Sequence, residues 1–442
     1  MFSKNKILIL ILIILVAAGA FLIIRFLPGE PIKTAEQYRQ EGKNYFLAAE
    51  YKKAKEIYLK SLELDPDCPV AHYQLGNIFI ELGDYQLAKE YFNKTLDLNP
   101  DPLIRKGSYL GIGGAYFSAR EYGKAVDYIM KSLSEEITSR AERELLESTA
   151  YPLLGNAFYF LGDFAASEEY LQRALALELE NNPSLEVVTQ AKAYNSLGFL
   201  YLLLGEYQQA LEYFNESIAM DKVLILATDI PVSQIRFLPY FGRSMVYHAL
   251  KDYDKARESL EKSLELLRLY PQLLQYAFYE AQIYNKLGKT ALDMEDFISA
   301  EKYFKQVLEM KEEDRFDTNF QAAYTQVDAY DGLGEIALHF KNYTEAQNYF
   351  ERGLNEIPEG PFNLFQDKFS FGFMEILFHY RKAFTYYKMD NLLEAKREIK
   401  KSVELTESIS PEIYSIIEKL RWFKDGESIF QKVYSLQNEL ES

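Results

Sequence analysis

The stretch PVAHYQLGNIFIELGDYQLAKEYFNKTLDLNP, residues 69–100, decides the fold of this chain. It contains two runs with helical apolar spacing, separated by a short turn that contains glycine and aspartate. Gly76 in the first run allows the two helices to approach closely, and the ring of Phe92 in the second run fills the seam between them. Pro100 is predicted to end the second helix. The stretch therefore predicts a pair of antiparallel helices.

The same unit recurs about nine times along the chain. A small residue, usually glycine, occupies the close-approach position of each first helix. The first two of these residues are 34 positions apart, and from Gly113 onward the spacings lie between 42 and 49, which predicts longer first helices. The small residues are Gly42, Gly76, Gly113, Gly155, Gly198, Ser244, Gly288, Gly334 and Ala383.

The motif His72-x2-Leu75-Gly76-x2-Phe79, followed by Ala88-x3-Phe92, resembles the tetratricopeptide repeat (TPR) superfamily. The resemblance covers residues 35–406, and the lengthened repeats are similar to those of kinesin light chains and of peptide-sensing bacterial regulators. It implies an all-α, right-handed superhelical solenoid whose first helices line a concave groove. In the family, that groove binds extended peptides or partner helices. Residues 407–442 are predicted to cap the end of the stack.

Composition excludes several classes of function. The 442 residues are 48% hydrophobic and 26% charged, which is too apolar for a disordered chain. The net charge of −17 argues against nucleic acid as the main partner. Cys68 is the only cysteine, so neither an internal disulfide nor a thiolate metal cluster can form. The four histidines lack metal-ligand spacing and no catalytic constellation is visible, so we expect a non-enzymatic protein without a cofactor.

The N-terminus carries an uncharged apolar run at residues 7–24. Its 18 residues would span about 27 Å as a helix, close to the thickness of a bilayer core. Two interpretations compete, a transmembrane anchor within residues 1–27 and a signal peptide cleaved near residues 18–20. The run continues beyond that cleavage site, which favours the anchor. Flanking basic residues then predict that the array lies outside the cytoplasm, behind a linker at residues 28–34.

In each first helix, the positions three residues before, one after and four after the close-approach residue are predicted to face the groove. Asparagines there would hold a peptide backbone, rings would take apolar side chains, and the acidic Asp328, Asp331 and Glu335 would favour a basic segment of the ligand. The alternative is that these side chains make ordinary surface and inter-repeat contacts. The predicted groove-lining residues are Tyr73, Asn77, Asn156, Tyr159, Asn195, Phe199, Phe241, Met245, Asn285 and Asp331.

Residues 222–231 and 360–373 exceed what the repeat requires. Each is either a helix end that covers a neighbour or a loop that folds into the groove or docks a partner. Chaperone-docking members of the family carry a clamp of basic residues, but Gly107 and Gly111 occupy the positions that this clamp needs. The sequence thus predicts a membrane-tethered scaffold for protein or peptide partners, in cell-envelope assembly. The alternative is a peptide-sensing regulator or a cytosol-facing recruitment receptor, and self-association is left open.

Overall fold

The computed structural model describes residues 33–136, 139–179, 182–224, 233–271, 273, 275–312, 319–358, 365–408 and 424–441, and every regular element in these ranges is a helix. First and second helices alternate and pack as antiparallel pairs, and successive pairs stack on one another. In chain order the helices are α1 (Ala35–Leu47), α2 (Tyr51–Leu64), α3 (Pro69–Glu81), α4 (Tyr85–Asp97), α5 (Pro102–Ser118), α6 (Tyr122–Ser134), α7 (Arg140–Leu161), α8 (Phe164–Leu175), α9 (Pro183–Leu203), α10 (Tyr207–Ala219), α11 (Asp221–Leu224), α12 (Ser233–Ala249), α13 (Tyr253–Leu267), α14 (Tyr276–Asp293), α15 (Phe297–Glu312), α16 (Asn319–His339), α17 (Tyr343–Glu356), α18 (Phe365–Lys388), α19 (Leu392–Ser408) and α20 (Lys424–Glu441).

Local signals set the bounds of the second repeat. α3 begins at Pro69, where the missing amide proton costs nothing because the first helical N–H groups have no intrahelical acceptor. The Asp84 carboxylate accepts a hydrogen bond from the N–H of Leu87 (3.1 Å) and starts α4. α4 ends at Asp97 rather than at Pro100, since Asn99 adopts a left-handed conformation (φ 48°). The prediction that the proline ends this helix is therefore too late by three residues.

Close approach within each pair follows one register. The small residue of the first helix lies against the side chain 16 positions later in the second helix. At Gly76, an added Cβ would fall 2.7 Å from Cε1 of Phe92, and at Gly155 it would fall 2.5 Å from Cγ of Leu171. Both partner side chains are fully buried. The close approach expected between Gly76 and Phe92 is confirmed by these contacts.

A recurring hydrogen bond also joins the two helices of a pair. In five repeats, a serine hydroxyl of the second helix donates a hydrogen bond to a first-helix carbonyl 26 residues earlier. Each bond satisfies a buried hydroxyl while it fixes the register of the two helices. The pairs are Ser61 to Ala35 (3.1 Å), Ser132 to Lys106 (2.8 Å), Ser217 to Ala191 (3.2 Å), Ser263 to Phe237 (3.0 Å) and Ser402 to Ile376 (3.0 Å).

The turn inside each pair contains one left-handed residue, seven positions after the small residue. Gly83, Gly162 and Gly205 supply it in three repeats, where glycine adopts this conformation without steric cost. The other six repeats use residues with side chains, which are strained in the left-handed region. These are Ala49 (φ 57°), Arg120 (φ 64°), Lys251 (φ 61°), Glu295 (φ 61°), Lys341 (φ 59°) and Asp390 (φ 60°).

Six first helices close into a ring. α7 contacts α9, and the chain of contacts runs through α12, α14 and α16 to α18, which returns to α7. Three of these helices, α7, α9 and α18, contain 22, 21 and 24 residues, so they are longer than the 13-residue first helices of repeats one and two. The closure encloses the concave face, which is the inner face of the ring.

The predicted transmembrane helix is the part of the fold prediction that is wrong. In the ranges described by the structure, no helix is both long enough and apolar enough to cross a bilayer. Long helices such as α7 carry charged residues at several positions, including Glu142 and Glu144. Residues 7–24, on which the prediction rested, lie outside the described residues. The single-pass location and the placement outside the cytoplasm were inferred from that helix and are corrected with it.

The two additional segments and the terminal cap are described in part. Residues 225–231, 360–364 and 411–423 lie outside the described residues. α18 begins at Phe365, and Phe371 is buried with its ring centroid 5.9 Å from that of Tyr324 on α16, so this part covers a neighbouring helix. α20 packs on α19 and α18. The domain boundaries themselves stay predictions.

Candidate functional site

The inner face of the ring is the candidate functional site. Tyr159 of α7 and Tyr324 of α16 lie within electrostatic reach of each other although four repeats separate them. Burial, and to a smaller degree the nearby Tyr324, raise the pKa of Tyr159. The Tyr324 ring also packs near Phe278 of α14 and Phe371 of α18, with centroids 6.0 Å and 5.9 Å away. Helices from opposite parts of the array therefore meet across this face.

An ion-pair group occupies the inner face of the later repeats. Arg381 of α18 binds two carboxylates of α16: its Nε lies 2.8 Å from Oδ1 of Asp331, and an Nη contacts Glu335. Lys289 of α14 donates to the other oxygen of Glu335 (3.1 Å). Burial alone would raise the pKa of Glu335, but Arg381 and Lys289 hold it below its usual range. For Asp331, burial outweighs the attraction of Arg381 and raises its pKa above its usual range.

The ion-pair group continues along the same face to Asp293, His248 and Asp328. Lys289 Nζ lies 3.3 Å from Oδ1 of Asp293, whose Oδ2 is 2.9 Å from Nε2 of His248 on α12. Asp328, one turn before Asp331, has a pKa raised by burial and moderated by Lys286 and Lys289. The acidic residues that were expected to favour a basic ligand therefore already have cations of the chain itself beside them.

A different electrostatic environment surrounds Lys192 of α9. Its side chain is exposed to water, yet the surrounding protein lowers its pKa through desolvation, opposed by the charge of Glu81. Glu81 ends α3, accepts a hydrogen bond from the hydroxyl of Tyr51, and has a pKa raised by burial. Lys192 of the fifth repeat therefore lies within electrostatic reach of Glu81 of the second repeat.

The predicted groove residues of the early repeats divide between the open face and the seams. Tyr73 hydrogen-bonds to Asn77, and its ring packs 5.7 Å from that of Phe92. Asn156 and Tyr159 are half-buried on α7. Phe199 packs edge-on against Phe214 at 5.1 Å, inside the seam.

The remaining predicted residues lie mainly in the walls of the ring. Asn195 is buried, and its Oδ1 has no hydrogen-bond partner in the described part of the chain. Asn285 is buried too, and its Nδ2 donates to the carbonyl of Thr325 on the next first helix (2.7 Å). Phe241 and Met245 pack beside buried residues of the neighbouring helices. Asp331 is the predicted residue held by the ion-pair group.

Sequence reasoning missed Lys192, Lys289 and Arg381. The signal was present for Lys192, because it precedes Gly198 by six residues, as Asp328 precedes Gly334. The same register, six residues before the small residue, selects Asp328 in the eighth repeat and Lys192 in the fifth. Within the described residues, no group of three or more His, Cys, Asp or Glu side chains is arranged to hold a metal ion.

Comparison with protein families supports the repeat assignment. Models described as tetratricopeptide repeat match residues 40–68, 69–102, 146–222 and 238–313. A comparison with curated protein sequences finds no match.

Several solved structures share the architecture. The apo form of RapI is 15% identical with a TM-score of 0.56, and the alignment covers 85% of this chain and 98% of RapI. The apo form of the quorum sensor NprR from B. thuringiensis is 13% identical with a TM-score of 0.56, covering 84% and 98%. A signal-transduction ATPase with a tetratricopeptide repeat sensor from Pyrococcus horikoshii is 18% identical with a TM-score of 0.50, covering 74% and 48%. At these identities the similarity establishes the fold.

Proposed function

We propose that this chain, which belongs to the tetratricopeptide repeat superfamily, binds an extended peptide segment of a protein partner inside the ring of first helices. In this proposal it acts as a scaffold and has no catalytic activity. The observation that supports it is the enclosed inner face, where polar and aromatic side chains such as Asn156, Tyr159 and Lys192 remain partly accessible to water. A concave surface with a few polar groups among rings is the usual form of a peptide site.

The direct test selects peptides from a displayed random octapeptide library with the full chain as bait. Selected peptides are then measured by fluorescence anisotropy against a double variant, Asn156→Ala with Tyr159→Ala. Asn93→Ala, at an exposed position of the second helix α4, is the matched control. We expect the double variant to weaken binding about tenfold or more and the control to leave it unchanged. Equal affinity of all three proteins would contradict binding inside the ring.

A second candidate, a peptide-sensing regulator, is favoured by the contact between α7 and α18. Because this contact closes the ring, a ligand that fills the interior would change the relative position of repeats four and nine. A partner that binds the outer surface would then bind the two arrangements of these repeats with different affinity.

Hydrogen exchange of the full chain, with and without a selected peptide, separates the two candidates. A regulator is expected to show altered protection in α18 and α19 as well as on the inner face. Protection confined to the residues that touch the peptide would favour the simple scaffold.

A further inference from the structure

The turns inside the helix pairs of repeats six to nine expose large apolar side chains. These side chains lie along one edge of the stack, because each is close to the left-handed residue that joins a first helix to its second helix. A row of exposed apolar side chains across four successive repeats indicates a contact surface. We call the following six residues the apolar edge: Leu250 (50% exposed), Ile298 (85%), Phe340 (61%), Met389 (43%), Leu392 (47%) and Leu393 (79%).

The apolar edge is not a general property of the repeat. The corresponding turns of repeats two, three and five, all of whose residues are described, expose no large apolar side chain. Part of the edge is also fixed in position. The ring of Phe340 in repeat eight lies 5.2 Å from that of Phe297 in repeat seven, which precedes Ile298. Side chains that are already ordered lose little conformational entropy when a partner binds them.

The tips of the same four turns carry charges of alternating sign. The left-handed position holds Lys251 in repeat six, Glu295 in repeat seven, Lys341 in repeat eight and Asp390 in repeat nine. All four residues are exposed, and none of them takes part in an ion pair within the described part of the chain. The edge therefore presents the order plus, minus, plus, minus along its length.

This order of charges is complementary to its own reverse. A two-fold axis that crosses the edge between repeats seven and eight places repeat six of one copy opposite repeat nine of the other. Lys251 then faces Asp390 of the second copy, and Glu295 faces its Lys341. A two-fold axis along the edge would instead place each charge opposite an identical one. Charge complementarity therefore indicates a second copy of this chain, in the antiparallel orientation.

We infer that two copies of this chain associate through the apolar edge in this antiparallel arrangement. The apolar side chains form the core of the contact and the four charges form its polar rim, which is the usual organisation of a protein interface. The inner face of the ring takes no part in it, so the inference goes beyond the proposed peptide site and does not depend on it. Each dimer carries two rings, and a partner with two binding segments would gain avidity.

Sedimentation velocity of the full chain between about 1 µM and 100 µM gives the dissociation constant of the dimer. The double variant Phe340→Ser with Leu393→Ser removes two highly exposed side chains of the edge. Leu161→Ser is the matched control, because Leu161 holds the position of Phe340 in repeat four and is also exposed. We expect the double variant to raise the dissociation constant about 100-fold or more and the control to leave it unchanged.

Exchange of charges tests the orientation. Lys341→Glu and Glu295→Lys each place like charges opposite one another in a homodimer, so each single variant should dimerise about tenfold more weakly. The variant with both changes restores opposite charges and should regain the affinity of the wild type. In an equimolar mixture the two single variants should pair with each other, since each then meets a complementary edge. Energy transfer between donor-labelled and acceptor-labelled copies measures these mixed dimers.

Two results would overturn the inference. A full chain that stays monomeric over this concentration range would show that the edge does not bind a second copy and would assign it to a different protein. A dimer that persists in the Phe340→Ser, Leu393→Ser variant would place self-association on another surface. The wild-type measurement alone can give the first result, so the test does not depend on the folding of a variant. Neither result bears on the peptide site, which the display experiment tests separately.

Discussion

Gly198 of α9 lies directly against the ring of Phe214 in α10, so closely that an added Cβ would be 2.5 Å from Cε1 of the ring. The same ring also lies against Gly242 of the next repeat, where an added Cβ would lie 2.2 Å from Cζ. Phe214 is completely buried. One ring therefore joins two successive repeats through two glycines. Phe304 occupies the same arrangement between Gly288 and Gly332.

Replacing Gly242 by alanine should destabilise the array by about 1–3 kcal/mol, because the ring has no free space in which to move. Urea unfolding followed by far-UV circular dichroism measures the loss. Gly123→Ala is the matched control, since an added Cβ there has nothing within 4 Å and alanine favours a helix. A loss of equal size in both variants would contradict the packing explanation.

The left-handed turns predict a stabilising change. Lys341 has a φ of 59°, which strains a residue with a side chain, so Lys341→Gly should stabilise the fold by about 1 kcal/mol. Lys341→Ala keeps the strain and should have little effect. The converse change, Gly162→Ala, introduces the strain at φ 82° and should destabilise. Thermal unfolding of the three variants checks the order, which would be contradicted if glycine and alanine at position 341 behaved alike.

A buried ion pair joins repeats three and four. Lys106 of α5 contacts Glu142 of α7, and their side chains are 1% and 8% exposed. Lys106→Met should cost about 3–5 kcal/mol because it leaves the carboxylate buried without its cation. The double variant with Glu142→Leu should recover most of that loss. A double-mutant cycle in urea measures the coupling, and additive losses would show that the pair does not interact in the folded state.

Glu398 of α19 predicts a dependence of stability on pH. Burial alone would raise its pKa, but the hydrogen bond with His379 and the charge of Lys382 lower it from 4.5 to about 2. A carboxylate with a lowered pKa stabilises the fold fully above about pH 4.5, and the contribution is lost as the pH falls to about 2. Glu398→Gln should therefore cost about 3 kcal/mol at neutral pH and much less near pH 2. Urea unfolding at both values tests this, and an equal loss at both would contradict the assignment.

Much of the fold can be predicted from the sequence because the residues that pack each helix pair recur in every repeat. Glycine and a bulky side chain at a spacing of 16, as in Gly76 and Phe92, identify a packed helix pair without any long-range information. The closure of the ring cannot be predicted from this spacing. It depends on small rotations between successive repeats, which accumulate until α18 reaches α7.

The candidate site was predicted less well for a related reason. The register predicts the same helix face for Tyr159 and Asp331, but it cannot tell which cations lie opposite. Arg381 contacts Asp331 from another repeat, 50 residues away in the chain. Asn285 satisfies a backbone carbonyl of the neighbouring helix instead of remaining free. Pairings between different repeats depend on how the repeats stack into the superhelix. The sequence of a single repeat does not predict them.

The contact between α7 and α18 has a topological consequence for any partner. A polypeptide inside a closed ring is encircled, so a segment between two folded domains could not enter sideways while the contact holds. It would have to be threaded from a free end, or wait until α18 separates from α7. The ring would therefore discriminate among partners by their topology as well as by their sequence, and it would favour chain termini over internal loops.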